Sequence, residues 1–212
     1  MAIEVVRLVL GMVETNCYLV GDTDSGAAVV IDPADEARTI LAEASARNWR
    51  ITHILATHTH FDHVLAADDL RRVTGAPFMI HAEAQPLLAA MQMTGRLFGL
   101  ELPPPPEADA FLQTGDAVQQ DAIRLQVRYT PGHAPGHVSF VLESERIVFC
   151  GDCLFAGSIG RTDLPGGDYE TLIASITSQL LPLGDDYRVA SGHGPWTTIG
   201  VEKETNPYLR IR

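Results

Sequence analysis

The hydrophobic positions in the first 31 residues fall into three short, mostly β-branched runs. These runs are EVVRLVL, NCYLV and AAVVI, and the segments VET and GDTDSG separate them. Glycine and aspartate in the second separating segment are typical of tight turns. The pattern predicts that the chain begins with a meander of three strands.

Helical and extended patterns alternate in the next segments. After DPAD, the stretch EARTILAEASARN has an apolar helical face, with Asp35 as its predicted N-cap. The strand ITHILAT follows, then a helix over DHVLAADDLRRVT with Asp62 at its start and Gly75 at its end, then the strand PFMIH. This order predicts a strand–helix–strand unit of an α/β fold.

The second half of the chain again has strands followed by a helix. Residues from Gln85 to Leu100 are predicted to be helical with interruptions, and LPPPPE after them a stiff loop, because proline fits neither a helix interior nor a central strand. The strands AIRLQVRYT, HVSFVL and RIVFCG, the helix DYETLIASITSQLL and the strand YRVAS follow. The pattern predicts a sandwich of two sheets covered by helices, with residues 1–212 forming a single domain.

Composition and charge narrow the functional class. Hydrophobic residues make up 46% and charged residues 20% of the chain, as in globular proteins. The formal net charge is -12, with 27 acidic and 15 scattered basic residues, which argues against nucleic acid as a partner. No apolar run reaches the roughly eighteen residues of a membrane span, and the amino terminus has no signal-peptide pattern. We therefore expect a cytoplasmic protein, monomeric or homodimeric, that does not contact a membrane.

Four titratable residues crowd together directly after the predicted strand ITHILAT. They are His58, His60, Asp62 and His63 in the stretch ATHTHFDHVLAADDL. Such a cluster would repel or be desolvated unless a cation compensated it, and ligands of α/β folds bind at the carboxyl ends of strands. The cluster therefore predicts a metal site.

Three further candidate ligands each follow a later predicted strand and lie beside glycine. They are His133 in TPGHAPGH, Asp152 in FCGDC and His193 in SGHGP. Imidazole and carboxylate groups suit zinc and iron, and a two-metal site needs about six or seven of them from separate loops. Glycine beside a ligand lets the backbone pass close to the metal. Together the seven residues predict a two-metal site.

The motifs THTHFDH, PGHAPGH, GD and GHG, in this order, resemble the metallo-β-lactamase superfamily, and within it the short glyoxalase II-like (hydroxyacylglutathione hydrolase-like) hydrolases. The resemblance implies an α/β fold of the four-layer αββα type and two divalent metal ions, zinc first, with iron or manganese as alternatives. It implies this ligand assignment: His58, His60 and His133 for one metal, Asp62, His63 and His193 for the other, and Asp152 bridging both. The sequence ends without the helical domain of full-length glyoxalase II, which we expect to weaken glutathione recognition.

The implied reaction is hydrolysis of a small-molecule thioester such as S-lactoylglutathione. Two metals roughly 3.5 to 4 Å apart lower the pKa of a shared water and so supply a metal-bridging hydroxide near neutral pH. Asp62 is the candidate catalytic residue that holds this hydroxide. A thiolate leaving group, with a pKa near about 8.5, needs little help from a general acid. In FAGSIGRTDLPGGD, Arg161 is the candidate contact for a substrate carboxylate, and a salt bridge to Asp163 is the alternative.

Other functions of the same fold stay open. A persulfide dioxygenase would use one iron held by His58, His133 and Asp152, and a lactonase or other ester hydrolase would share the two-metal site. A β-lactamase is disfavoured because Asp152 stands where many of them have a cysteine ligand, and an RNA-processing nuclease is disfavoured by the acidic charge. A non-enzymatic binding module would require a closed coordination shell.

The remaining histidines and cysteines are predicted to be structural. His53, His81 and His137 have strand-end or core contexts without a partner. Cys150 and Cys153 have the CxxC spacing of redox and zinc sites, but no thioredoxin-like helix start follows them. We expect these two cysteines to pack as small hydrophobic residues.

Overall fold

The computed structural model describes residues 2–210, which contain fourteen strands and six α-helices. The strands are β1 (Ile3–Leu10), β2 (Thr15–Asp22), β3 (Ala27–Ile31), β4 (Arg50–Leu55), β5 (Phe78–His81), β6 (Ala110–Leu112), β7 (Ala117–Gln120), β8 (Ile123–Tyr129), β9 (Val138–Leu142), β10 (Ile147–Gly151), β11 (Leu154–Phe155), β12 (Ser158–Ile159), β13 (Arg188–Ser191) and β14 (Thr197–Thr198). The helices are α1 (Ala37–Ala46), α2 (Ala67–Thr74), α3 (Gln85–Ala89), α4 (Met91–Leu97), α5 (Tyr169–Ser175) and α6 (Ile199–Thr205).

The strands form two six-stranded sheets and a small hairpin. The first sheet has the order β1-β2-β3-β4-β5-β6, and the second has the order β14-β13-β10-β9-β8-β7. In the first sheet β1 to β3 form the predicted antiparallel meander, and β3 to β6 are parallel neighbours. In the second sheet only β10 and β13 are parallel. Strands β11 and β12 pair with each other.

Three apolar clusters stack these elements into four layers. Between the sheets, buried Tyr18 of the first sheet meets Phe149 of the second, with ring centroids 5.1 Å apart. The other face of the first sheet packs against α1 and α2 through residues such as Ile40 and Leu70. The other face of the second sheet packs against α5 and α6. The predicted αββα sandwich of two sheets covered by helices is confirmed.

The predicted starts of two helices are wrong. Helix α1 has Glu36, not Asp35, at its N-cap position, and Glu36 has a left-handed backbone with φ of 52° and caps no amide with its side chain. The Asp35 carboxylate instead accepts a hydrogen bond from the Glu36 amide at 2.6 Å. Helix α2 begins at Ala67, not at Asp62. Residues Phe61–His63, which include Asp62, form a separate 3₁₀ turn before the helix.

The predicted end of α2 at Gly75 is confirmed. Gly75 has a left-handed backbone with φ of 71°, and its amide donates to the Arg71 carbonyl, which is the usual role of glycine after a helix. Within residues 2–210 no helix is long and apolar enough to cross a membrane.

Candidate metal centre

The seven predicted metal ligands come together at the carboxyl ends of four strands. The segment containing His58 to His63 follows β4, and the other three predicted ligands, His133, Asp152 and His193, follow β8, β10 and β13. Because β10 and β13 are parallel and β8 lies two antiparallel steps from β10, these three strands end at the same edge of the second sheet. The cluster therefore spans the two sheets at one edge of the sandwich.

The ligand atoms form three groups of three, in each of which they lie within 4.8 Å of one another. We call two of them the first triad (His58, His60 and His133) and the second triad (Asp62, His63 and His193), and the third group, His58, His63 and Asp152, takes one residue from each triad. Asp152 lies between the two triads. Its Oδ2 is 3.6 Å from Nε2 of both His133 and His193, and its Oδ1 is 3.4 Å from Nε2 of His63. The grouping agrees with the one that the sequence resemblance implies, and the role of each residue as a ligand stays a prediction.

Hydrogen bonds outside the cluster fix which nitrogen of two imidazoles carries the proton. Nδ1 of His133 lies 2.8 Å from the Arg161 carbonyl oxygen, which can only accept, so Nδ1 donates. Nδ1 of His63 likewise donates to Asp32 Oδ2 at 3.0 Å. In the neutral form of each ring, which is the form that binds a metal, Nε2 therefore faces the cluster with a free lone pair.

The same reasoning applies to His58 through a relay that sequence analysis missed. Thr57 Oγ1 donates to Asp32 Oδ2 at 2.9 Å, so its own oxygen accepts from Nδ1 of His58 at 3.1 Å. Asp32 also accepts the Thr57 amide at 2.7 Å and is buried. The available signal was the position of Asp32 directly after the strand AAVVI, which is the position that the predicted ligands have after their own strands.

The cluster contains lone pairs that a cation would satisfy. Nε2 of His58 and Nε2 of His133 lie 3.0 and 2.9 Å from the same atom, Nδ1 of His60, which has at most one proton to donate. His63 Nε2 and Asp152 Oδ1 are buried without a hydrogen-bond partner in the described chain. Each such buried group costs about 1–3 kcal/mol when unsatisfied. Five imidazoles and two carboxylates form a donor set suited to zinc or iron, so the cluster is able to bind metal ions.

The two triads differ in their electrostatics. Burial lowers the pKa of His58 well below its ordinary value and, together with His133, lowers the pKa of His60 to about 4. Burial also opposes the charging of His63, but Asp62, Asp152 and Asp32 outweigh it and raise its pKa well above its ordinary value. The first triad is therefore neutral near pH 7, whereas His63 holds a proton that a metal must displace.

Thr15 fixes the orientation of Asp62. Burial would raise the pKa of Asp62, but His63 and His193 outweigh it and lower the pKa to about 2, so the group is a carboxylate. Its Oδ2 accepts a hydrogen bond from buried Thr15 Oγ1 at 2.9 Å and lies 3.3 Å from Nε2 of His193. Thr15 is held by a β-bridge to His193. No pattern in the sequence distinguishes this threonine from an ordinary strand residue.

Two glycines next to the cluster are required by close packing. A Cβ on Gly192 would lie 2.2 Å from Asp152 Oδ1 and 2.7 Å from Cε1 of His63. A Cβ on Gly160 would lie 1.8 Å from the Asp152 carbonyl oxygen. The expectation that glycine beside a ligand admits the backbone to the site therefore has a direct steric basis at Gly192.

Arg161 lines the cleft above the cluster and is paired with Asp163. Its Nε and Nη2 donate to the two Asp163 carboxylate oxygens at 2.7 and 2.8 Å. The salt bridge that the sequence left as an alternative is thus formed, and 55% of the Arg161 side chain stays exposed. Contact with a substrate carboxylate remains a prediction.

The residues predicted to be structural lie outside the triads. His53 is 3.1 Å from Thr52 Oγ1, and His81 stacks on Tyr129 with ring centroids 4.8 Å apart. His137 is closer than expected, because its buried ring stacks on His58 at 5.1 Å while its Nδ1 contacts a threonine hydroxyl at 3.0 Å. Cys150 and Cys153 are fully buried, and burial raises the pKa of both thiols, that of Cys150 to about 12.

Comparisons with known proteins agree with this fold. Residues 10–193 match the family model described as the metallo-beta-lactamase superfamily. Hydroxyacylglutathione hydrolase GloC of Haemophilus influenzae is 39% identical over 206 residues, which cover 94% of each chain. The crystal structure of BLEG-1 B3 metallo-beta-lactamase superposes with a TM-score of 0.92 at 38% identity, covering 98% of this chain and 100% of that one. The structure of TTHA1623 in a di-iron-bound form superposes with a TM-score of 0.88 at 40% identity, covering 96% and 100%.

Proposed function

The chain belongs to the metallo-β-lactamase superfamily and is a metallo-hydrolase of that class, and from that premise we propose that it hydrolyses small acyl thioesters such as S-lactoylglutathione at a two-metal centre. The first triad would hold one divalent ion, the second triad the other, and Asp152 would bind both. We propose zinc as the metal. Iron is the second candidate, because TTHA1623 has a di-iron-bound form, and manganese tolerates the same ligands.

Bound at these residues, two divalent cations would supply a water of lowered pKa and a Lewis acid for the substrate carbonyl. The chain's own residues prepare the site. Asp32, Thr57 and the Arg161 carbonyl fix a proton on Nδ1 of three imidazoles, so Nε2 is the atom of each ring that is left for a metal. Thr15 holds Oδ2 of Asp62 beside Nε2 of His193, and we propose that Oδ1 of Asp62 orients the attacking water by accepting a hydrogen bond from it.

The lining of the cleft is the observation that favours a thioester. Outside the two triads and Asp152, the described residues that line it are Val13, Phe61, Thr94, Phe98, Arg161 and Leu164. None of these can protonate a leaving group near neutral pH. A thiolate, with a pKa near about 8.5, leaves without such help, whereas an amide nitrogen does not. The similarity to GloC, named a hydroxyacylglutathione hydrolase, supports the same substrate class.

The test is S-lactoylglutathione hydrolysis by purified protein, followed as loss of thioester absorbance. We expect turnover that disappears when the metals are stripped and returns when they are restored. His58→Ala should abolish it by removing a ligand of the first triad, whereas His53→Ala, at a half-buried histidine outside the cluster, should keep it.

Two outcomes would contradict the proposal. Turnover that survives both metal removal and His58→Ala would exclude the metal centre as its source. Absence of turnover by folded, metal-loaded protein would exclude the thioesterase, and oxygen consumption with glutathione persulfide and hydrolysis of lactones would then test the alternatives.

Arg161 is tested separately as the contact for a substrate carboxylate. Arg161→Ala should raise the KM for S-lactoylglutathione while leaving kcat within about twofold, because the contact would stabilise bound substrate and transition state alike. An unchanged KM would show that the salt bridge to Asp163 is the whole role of this arginine.

A further inference from the structure

The cleft above the candidate metal centre has an apolar wall whose residues come from four separate segments. We define the apolar wall as Val13, Phe61, Phe98 and Leu164. Val13 lies in the turn between β1 and β2, Phe61 lies between two predicted ligands, and Phe98 follows α4. The rings of Phe61 and Phe98 lie with their centroids 6.3 Å apart, so these two side chains present one apolar surface.

The wall is exposed in spite of its apolar character. Phe98 is 52% and Val13 is 44% exposed, and the nearby side chains of Met12 and Leu97 are 67% and 77% exposed. Large apolar side chains grouped at the mouth of a cleft usually mark a surface that contacts a ligand. Such a ligand gains free energy by removing this surface from water.

The side chains that line the cleft provide few positive charges that could bind an anionic group on the acyl part of the substrate. Outside the histidines, Arg161 is the only cationic side chain among the described residues lining the cleft, and Asp163 occupies two of its nitrogens. An apolar group attached to the carbonyl therefore fits the wall better than a charged one.

The size of the cleft indicates which part of the substrate lies in it. The cleft encloses about 210 Å³, less than the roughly 300–1,000 Å³ of sites that enclose drug-sized ligands. It has room for roughly seven groups the size of a water molecule. That space accommodates the thioester group and a short alkyl chain, and it leaves most of a glutathione moiety outside.

We infer that the preferred substrates are thioesters with a short apolar acyl chain, which the apolar wall binds while the thiol portion extends past Arg161. This inference rests on the proposed thioesterase function and specifies its substrate. Phe98 is then a residue that determines acyl specificity.

The experiment compares acetyl, butyryl and hexanoyl thioesters of glutathione. Full burial of one methylene raises affinity about fourfold, and burial of half of its surface against a half-exposed wall raises affinity about twofold. We expect kcat/KM to rise roughly four- to sixteenfold from acetyl to butyryl, since two methylenes are added. Equal kcat/KM values for the three thioesters would overturn the inference.

Two matched variants test the wall itself. Phe98→Ala should reduce hexanoyl turnover more than acetyl turnover and so flatten the chain-length dependence. Phe111→Ala removes an aromatic side chain of similar exposure, 45%, from strand β6 outside the cleft, and should keep the dependence. Equal losses for all three thioesters in Phe98→Ala would also overturn the inference.

Binding of thioethers separates this inference from the proposed function. S-hexylglutathione cannot be hydrolysed, and calorimetry should show that it binds more tightly than S-methylglutathione and that Phe98→Ala removes the difference. If this result is obtained while no thioester is hydrolysed, the apolar wall stands and the thioesterase fails. If thioesters are hydrolysed but the two thioethers bind equally, the thioesterase stands and the apolar acyl preference fails.

Discussion

Asp32→Asn tests whether Asp32 determines which nitrogen of His63 carries the proton. Asp32 is not itself a predicted metal ligand, and His63 is the one predicted ligand to which it is hydrogen-bonded. Asp32 accepts three hydrogen bonds, from the Thr57 amide, the Thr57 hydroxyl and Nδ1 of His63. Asparagine has the same shape, but one of its two terminal groups is an NH2. The Thr57 amide can only donate, so the asparagine oxygen must face it and the NH2 must face His63.

This substitution leaves His63 with two unfavourable choices. If the proton stays on Nδ1, two donors face each other in a buried site, where an unsatisfied donor costs about 1–3 kcal/mol. If the proton moves to Nε2, the lone pair needed by the second triad is lost. A cost of about 1–3 kcal/mol corresponds to roughly a 5- to 150-fold loss of metal affinity, since about 1.4 kcal/mol is tenfold.

The assay is metal content after dialysis against graded concentrations of a chelator. We expect Asp32→Asn to lose one of two metals at a chelator concentration about 10- to 100-fold below that needed for the wild type. Asp116→Asn is the matched control, because Asp116 is an exposed carboxylate that accepts a single amide, from Gln113 at 2.8 Å. Two metals held as tightly in Asp32→Asn as in the wild type would refute the tautomer argument.

Four further predictions concern the surroundings of the triads. Thr15→Val should lower kcat about tenfold and weaken metal binding at the second triad, because it removes the hydroxyl that donates to Asp62. Thr15→Ser keeps the hydroxyl and should retain both kcat and metal binding. Equal effects of the two variants would show that this hydrogen bond has no role. Gly192→Ala should prevent metal loading, since its Cβ would meet Asp152 Oδ1, whereas Gly194→Ala, which has open space and a φ of 70°, should cost only about 1–2 kcal/mol in an unfolding titration. As the pH falls from about 8 to about 5, metal affinity measured by calorimetry should fall roughly tenfold per pH unit for each proton that the metal displaces at the second triad. Metal affinity at the first triad should change little over the same range. An equal dependence of affinity on pH at the two triads would contradict the assigned protonation states. Ellman's reagent near neutral pH should leave the native thiols unmodified and react with all of them after unfolding: Cys17, Cys150 and Cys153.

The sequence predicted the long strands well because burial on one or both faces gives them a strong pattern. The runs that became β3 and β10 are wholly buried, and no polar side chain interrupts them. Strands β11, β12 and β14 have two residues each and cannot produce a pattern. The start of α2 was misplaced for a different reason, because Asp62 has the residue type of a helix cap but its carboxylate accepts from Thr15.

The seven residues that come together in the cluster could be predicted because they combine a titratable side chain, a strand end and, for most of them, a neighbouring glycine or a second candidate ligand. The residues that act on the ligands could not. Thr15 and Thr57 act through hydroxyl groups, and threonine is common in strands, so its residue type carries no information about such a role. Asp32 shared the strand-end position but lay in a DPAD segment that suggested a turn and a helix cap.

The candidate metal centre lies between the two sheets, and this geometry explains why its supporting residues are so far apart in the sequence. The first triad takes two histidines from the loop after β4 and one from the loop after β8, while Asp152 and His193 come from the second sheet. Across the same edge, Asn16 of β2 donates through its side chain to the Ser191 and Gly194 carbonyls at 2.8 and 3.0 Å. Cations bound by ligands from both sheets would therefore add to the stability of the sheet-to-sheet contact that these hydrogen bonds also support. By linkage, each tenfold excess of metal over its dissociation constant adds about 1.4 kcal/mol to the free energy of unfolding. The cluster is thus both the proposed reaction centre and a tie between the sheets, so a substitution that weakens metal binding should lower thermal stability only when metal is present.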